Sequence, residues 1–159
     1  MKKFELTTES ITFLGRTLFR IKALISFGNV KAGELGGYIE KEGNLSHEGD
    51  AWVYGNAKVY GDAWVCGDAW VYGDARVCGD AEVCGDADIA TISGFGSEYR
   101  TTTFFRTKND EIAVKCGCFY GTLAEFREKV KETHGDNRYA KEYLMIADLM
   151  EMHFRGEEE

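Results

Sequence analysis

The chain has 159 residues, 27 acidic and 19 basic side chains for a formal charge of −8, 19 glycines and no proline. That length fits one ordinary domain or a small pair. The negative balance argues against a surface that tracks nucleic-acid phosphates, and 13% aromatic residues exclude a disordered chain. No run approaches the ~20 apolar residues of a spanning helix, the opening MKKFE leads into Thr and Ser rather than a signal core, and five cysteines are an odd count. A cytoplasmic protein with reduced thiols and no membrane partner is expected.

Residues 1–30 read as N-terminal capping strands: over 16–24, Phe19, Ile21 and Ala23 alternate with Arg20 and Lys22. From Gly49 the sequence repeats every six residues, as GDAWVY, GNAKVY, GDAWVC, GDAWVY, GDARVC, GDAEVC and GDADIA. Each hexad joins a Gly-Asp or Gly-Asn corner, where glycine tolerates positive φ, to a short extended piece. Strand alternation puts the Ala and Val of each hexad on one side. Trp52, Lys58, Trp64, Trp70, Arg76, Glu82 and Asp88 fall on the other. Unpaired charges cannot stack in a narrow core, so Ala and Val face inward. Looser hexads carry the period back to Lys31, giving a repeat over 31–90 that must stack copies to bury its apolar side.

These tandem G-D/N-A-x-V-x hexads resemble the hexapeptide-repeat left-handed β-helix proteins. The resemblance implies a mostly β fold: a left-handed β-helix solenoid with three hexads per triangular coil and three chains side by side, a β-rich N-terminal cap, and a small C-terminal α+β unit over 91–159. The flanking runs RTLFRIKALISFGNVKAGELGGYIE, TTTFFRT, CGCFYGTLAEF and THGDN are similar to those of small uncharacterised phage and prophage proteins. That context implies the cytoplasm of a bacterial host and no settled activity.

At 18 residues per coil, Trp52 lies over Trp70 and Tyr54 over Tyr72, a purely aromatic face. Soluble monomers rarely leave such a patch wet, so these four residues are expected to be the interface of a homotrimer, with an aromatic ligand or a partner protein as the other covers. Cys66 falls over Cys84, and both are expected free because in-register parallel thiols make poor disulfide geometry.

After Ala90 the period is lost in a Gly/Ser linker. Residues 101–107 and 111–116 read as a hairpin, and Thr122 to Glu125 as a capping box opening a helix whose Leu123, Phe126 and Val130 form an apolar stripe. A second helix over 138–154 carries apolar residues on more than one side, Met145, Leu149 and Met152 among them.

For chemistry, hexapeptide proteins resemble acyltransferases, which employ a His general base. His47, Cys116 and His134 are weak catalytic candidates, the Cys beside a helix start and paired with His134. No metal set and no cofactor are expected. A basic and aromatic cluster offers more: Arg100, Arg106, Lys115 and His134 near the N–H groups at Thr122, with Tyr99, Phe104 and Phe119 to stack a base. The reading is therefore a non-catalytic homotrimeric binding protein with a phage anti-defence role. It would sequester a small anionic, nucleotide-type immune signal or block a host immune protein. An acyltransferase and a structural scaffold are the alternatives.

Overall fold

A computed structural model describes residues 2–155 of the chain. Strands β1 (Phe4–Phe13), β2 (Arg16–Ala23) and β3 (Leu35–Ile39) are followed by six two-residue strands from the hexads: β4 (Trp52–Val53), β5 (Lys58–Val59), β6 (Trp64–Val65), β7 (Trp70–Val71), β8 (Arg76–Val77) and β9 (Glu82–Val83). Then come β10 (Ile89–Phe95), β11 (Arg100–Arg106), β12 (Ile112–Cys116), β13 (Phe119–Thr122), and helices α1 (Leu123–His134) and α2 (Arg138–Arg155). A five-stranded sheet has the order β1-β2-β3-β5-β8, a four-stranded sheet the order β10-β11-β12-β13, and β4·β7 and β6·β9 form two separate pairs.

This arrangement replaces the left-handed β-helix solenoid expected from the hexads. The sheets are small, the largest is mixed and the four-stranded one is wholly antiparallel. Each hexad strand has only two residues, so it carries few ladder hydrogen bonds. Most strand residues lie outside the repeat, in longer strands that turn back tightly and pair antiparallel. The segment expected to lie across the repeat instead continues one of its sheets, since β2 pairs with β3 and β3 pairs in parallel with β5.

What the period does set is which residues are neighbours. Trp52 pairs with Trp70, Lys58 with Arg76 and Trp64 with Glu82, all in parallel register. Backbone bonds such as Trp52 N–H to the Ala69 carbonyl (3.1 Å) and Tyr54 N–H to the Val71 carbonyl (2.7 Å) link the rungs. Gly67 shows why the corner needs glycine: its φ is +62°, and a Cβ there would strike the Cys84 carbonyl. Ala51, Val53, Ala57, Val59, Val65, Val71, Val77 and Val83 are all buried. Cys66 and Cys84, expected free, are joined as a disulfide across one rung, where equal hexad positions bring their Cα atoms to 4.3 Å.

Two apolar clusters organise the packing. The first runs from Phe4 and Ile21 through the hexad aliphatics to Phe105 and Ala113. The second holds Phe104 and Val114 with Phe126, Val130, Tyr143, Ile146 and Met150. Strands β11 and β12 thus stand between them, with alternate residues facing the repeat and the helices. The capping box is as expected: the Thr122 hydroxyl accepts from Glu125 N–H (3.1 Å), and Thr122 N–H donates to the Glu125 carboxylate (2.8 Å). Among the described residues no helix is long and apolar enough to cross a membrane.

Candidate functional site

The structure scatters the residues that the sequence gathers into one cluster. Phe104 is fully buried, edge-on to Phe126 at 6.0 Å, and belongs to the core rather than to a ligand. Lys115 is buried on the face of β12 that meets the repeat, away from Arg100 and Arg106, because a strand turns successive side chains to opposite faces. Arg106 and Thr122 border a groove of about 580 Å³ between β11 and α2. There Arg106 is already neutralised by Asp88 (3.1 Å) and Asp110 (3.2 Å) and donates to the Phe154 carbonyl. Arg127, in the same groove, holds Asp148 and Glu151, each at 2.8 Å. The N–H of Thr122 is taken by Glu125, so the start of α1 offers no anion seat on that residue.

His47 has a structural post. Its Nδ1 accepts the Lys3 backbone N–H (3.0 Å), its ring stacks on Phe4 at 4.2 Å, and its Nε2 lies 3.4 Å from the Glu42 carboxylate. A nitrogen already bonded to backbone cannot serve as a general base.

The aromatic face is likewise divided. Trp52 is fully buried, with Phe27 at 5.3 Å and Phe4 at 6.4 Å, both edge-on. It is therefore not an interface residue: Phe4 of β1 and Phe27, from the segment after β2, cover this rung. Trp70 and Tyr72 remain 39% and 61% exposed, and with Tyr54 and Ile89 they line a groove of about 680 Å³.

What remains together is the end of the four-stranded sheet against α1. Arg100, Cys116, Phe119 and His134 line one groove of about 400 Å³, with Lys129 and Tyr143. Gly117 makes the corner. At φ +58° it turns the chain between Cys116 and Cys118, and the Arg100 guanidinium lies where its Cβ would be. Arg100 pairs with Glu98, a residue largely in water. His134 stacks against Tyr143 at 6.1 Å and lies tilted against Tyr139 at 5.8 Å. Tyr99 stands exposed beside this end of the sheet, at positive φ.

Cys116 is half-buried and held in a relay: the Thr102 hydroxyl donates to its sulfur (3.3 Å), and its thiol points to the Tyr143 hydroxyl (3.9 Å), which donates to the Phe95 carbonyl (3.2 Å). Burial, then the neighbouring Cys116, pushes the Tyr143 phenol up to about 12, so it stays a neutral donor. The sulfur's partners are hydroxyls rather than His134, so the geometry holds the thiol without activating it. Among the described residues no three His, Cys, Asp or Glu side chains gather in a metal-binding arrangement.

No family model and no curated protein matches this chain.

Lys129 and Tyr143 escape a reading of the sequence for different reasons. Lys129 was legible in principle, since Phe126, Lys129, Val130 and Thr133 recur at helical spacing toward His134. Tyr143 reaches the groove from another helix, and only packing brings it over Gly96, where a Cβ would collide with its hydroxyl.

Proposed function

We propose that the protein is a non-catalytic binding protein whose groove between β13, the Gly117 turn and α1 takes a small anionic, nucleotide-type molecule. The single observation that supports this reading is the company around that groove: Arg100 and Lys129 supply positive charge, His134 an imidazole, and Phe119 a ring face. A volume of about 400 Å³ suits one small ligand. Arg100 and Lys129 each meet one exposed carboxylate, Glu98 and Glu132, whereas Arg106 and Arg127 of the other groove each hold two. In the phage context implied by the hexads and their flanks, such a protein removes a nucleotide immune signal in the cytoplasm of a bacterial host. It works as a homotrimer joined through Tyr54, Trp70 and Tyr72.

The test is thermal shift with a panel of cyclic and ADP-ribose-type nucleotides, followed by recovery of the ligand after heat denaturation. One nucleotide should raise Tm, come back intact, and lose its effect in Arg100→Gln and His134→Gln. No shift from any member removes the reading. A second reading, docking on a host immune protein, is favoured by the exposed stripe of Met145, Leu149 and Met152 on α2. A clean pull-down of one host protein that fails with Leu149→Glu would select it.

A further inference from the structure

A different set of cations meets on the opposite side of β11 and β12. Lys58 and Arg76 pair directly in parallel register between β5 and β8, about 4.8 Å apart. The Arg76 backbone N–H donates to the Thr103 hydroxyl (3.0 Å), and Thr103 sits across from Lys115 in the β11·β12 ladder. Three strands, β5, β8 and β12, therefore bring one cation each to the same seam. From the N-terminal hairpin comes a fourth contributor, Phe13, whose ring lies 5.2 Å from Lys58 Nζ and 4.8 Å from Arg76 Cζ.

Among the described residues no carboxylate closes this seam. Among the described residues none of Lys58, Arg76 and Lys115 has an ion pair within 4.0 Å, although the chain carries 27 acidic side chains. Lys58 donates to the Asn56 carbonyl, while the side chains of Arg76 and Lys115 make no hydrogen bond to the described residues. Asp74 pulls the Lys58 ammonium up, against the larger effects of burial and Arg76, and Arg16 beside Tyr60 is engaged by Glu40 at 2.8 Å. Lys115 is 5% exposed, which makes a charge without a partner there costly.

We propose that Lys58, Arg76 and Lys115 form a second anion site, distinct from the Arg100 groove, for a phosphate-type oxyanion borne alone or on a larger molecule. Arg76 offers the planar fork that grips two oxygens, the two lysines are point charges on either side, and Phe13 holds the Arg76 plane. Burial first, and Arg76 second, draw the Lys58 ammonium below its ordinary range; burial and the nearby Arg76 do the same for Lys115. This repulsion is what a bound anion relieves.

The experiment is calorimetric titration and thermal shift at constant ionic strength with inorganic pyrophosphate and with ADP. Both should bind, raising Tm by about 5–10 °C at 100-fold excess over Kd. Arg76→Gln and Lys115→Met should each weaken pyrophosphate at least ~10-fold, and Arg100→Gln should leave pyrophosphate binding unchanged, which separates this site from the groove above. Lys115→Met should also raise Tm without ligand, because it removes a buried charge that has no partner; Arg76→Gln, more exposed, carries the test if that variant folds poorly. The proposal is overturned if neither ligand shifts Tm, if the pyrophosphate shift persists in both variants, or if ADP binds while pyrophosphate does not, which places the affinity in the nucleoside.

Discussion

Truncating Trp52 discriminates most sharply between a chain that shows this ring to a neighbour and one that keeps it inside. The indole is fully buried among Phe4, Phe27 and the rung of Val53. A buried tryptophan removes about 150–250 Å² from water, worth roughly 4–6 kcal/mol at ~25 cal/mol per Å² as an upper bound. Trp52→Ala should therefore cost about 3–5 kcal/mol, within the usual range for an aromatic cavity, and lower Tm by about 6–20 °C. One feature refines the expectation: Trp52 Nε1 is buried with no hydrogen-bond partner. An orphaned donor costs about 1–3 kcal/mol, so Trp52→Phe, which removes it, should cost less than half of what the alanine does. The assay is urea unfolding followed by far-UV circular dichroism. Trp64 and Trp70 stand partly in water, so loss of Trp52 should also remove the blue-shifted part of the fluorescence. A cost for Trp52→Ala below about 1 kcal/mol, accompanied by a change in oligomer mass, would refute the burial and restore the ring to an interface.

Three further outcomes are expected. Lys3 Nζ, buried over Phe27, donates to the carbonyls of Ala51 (2.7 Å) and Gly49 (3.3 Å), and burial draws its pKa down to about 8 against the opposing pull of Asp50. Between that value and 10.5 the unfolded chain holds a proton that the folded chain lacks. Stability should therefore rise across this window by up to about 3 kcal/mol relative to Lys3→Met, and a pH-independent difference in urea midpoints would contradict it. Thr122→Ala should lose about 1 kcal/mol through the broken capping box while leaving nucleotide affinity intact, measured by urea midpoint and titration; weakened binding would return the start of α1 to the site. Trp70→Glu combined with Tyr72→Glu should reduce the light-scattering mass to that of one chain, and an unchanged mass would exclude the Tyr54–Trp70–Tyr72 groove as an interface.

The hexads by themselves determine which residues are neighbours: a six-residue period with Gly corners places Trp52 beside Trp70 and Lys58 beside Arg76, and sends Ala and Val inward, because alternation and corner geometry are local rules. The capping box at Thr122 and the two helices were legible for the same reason. Strand β10, by contrast, lies largely in a stretch that reads as a Gly/Ser linker, and β13 in one that carries no strand reading, and they become strands by pairing with β11 and β12. The sheet architecture, which is mixed and antiparallel rather than one continuous coil, depends on those long-range pairings. So does the fate of individual side chains. Trp52 is covered by Phe4 and Phe27 from far along the chain, and Lys115 and Arg100 share a sequence cluster but point to opposite faces of one sheet. Exposure and charge pairing are sums over everything packed nearby, which no local pattern encodes.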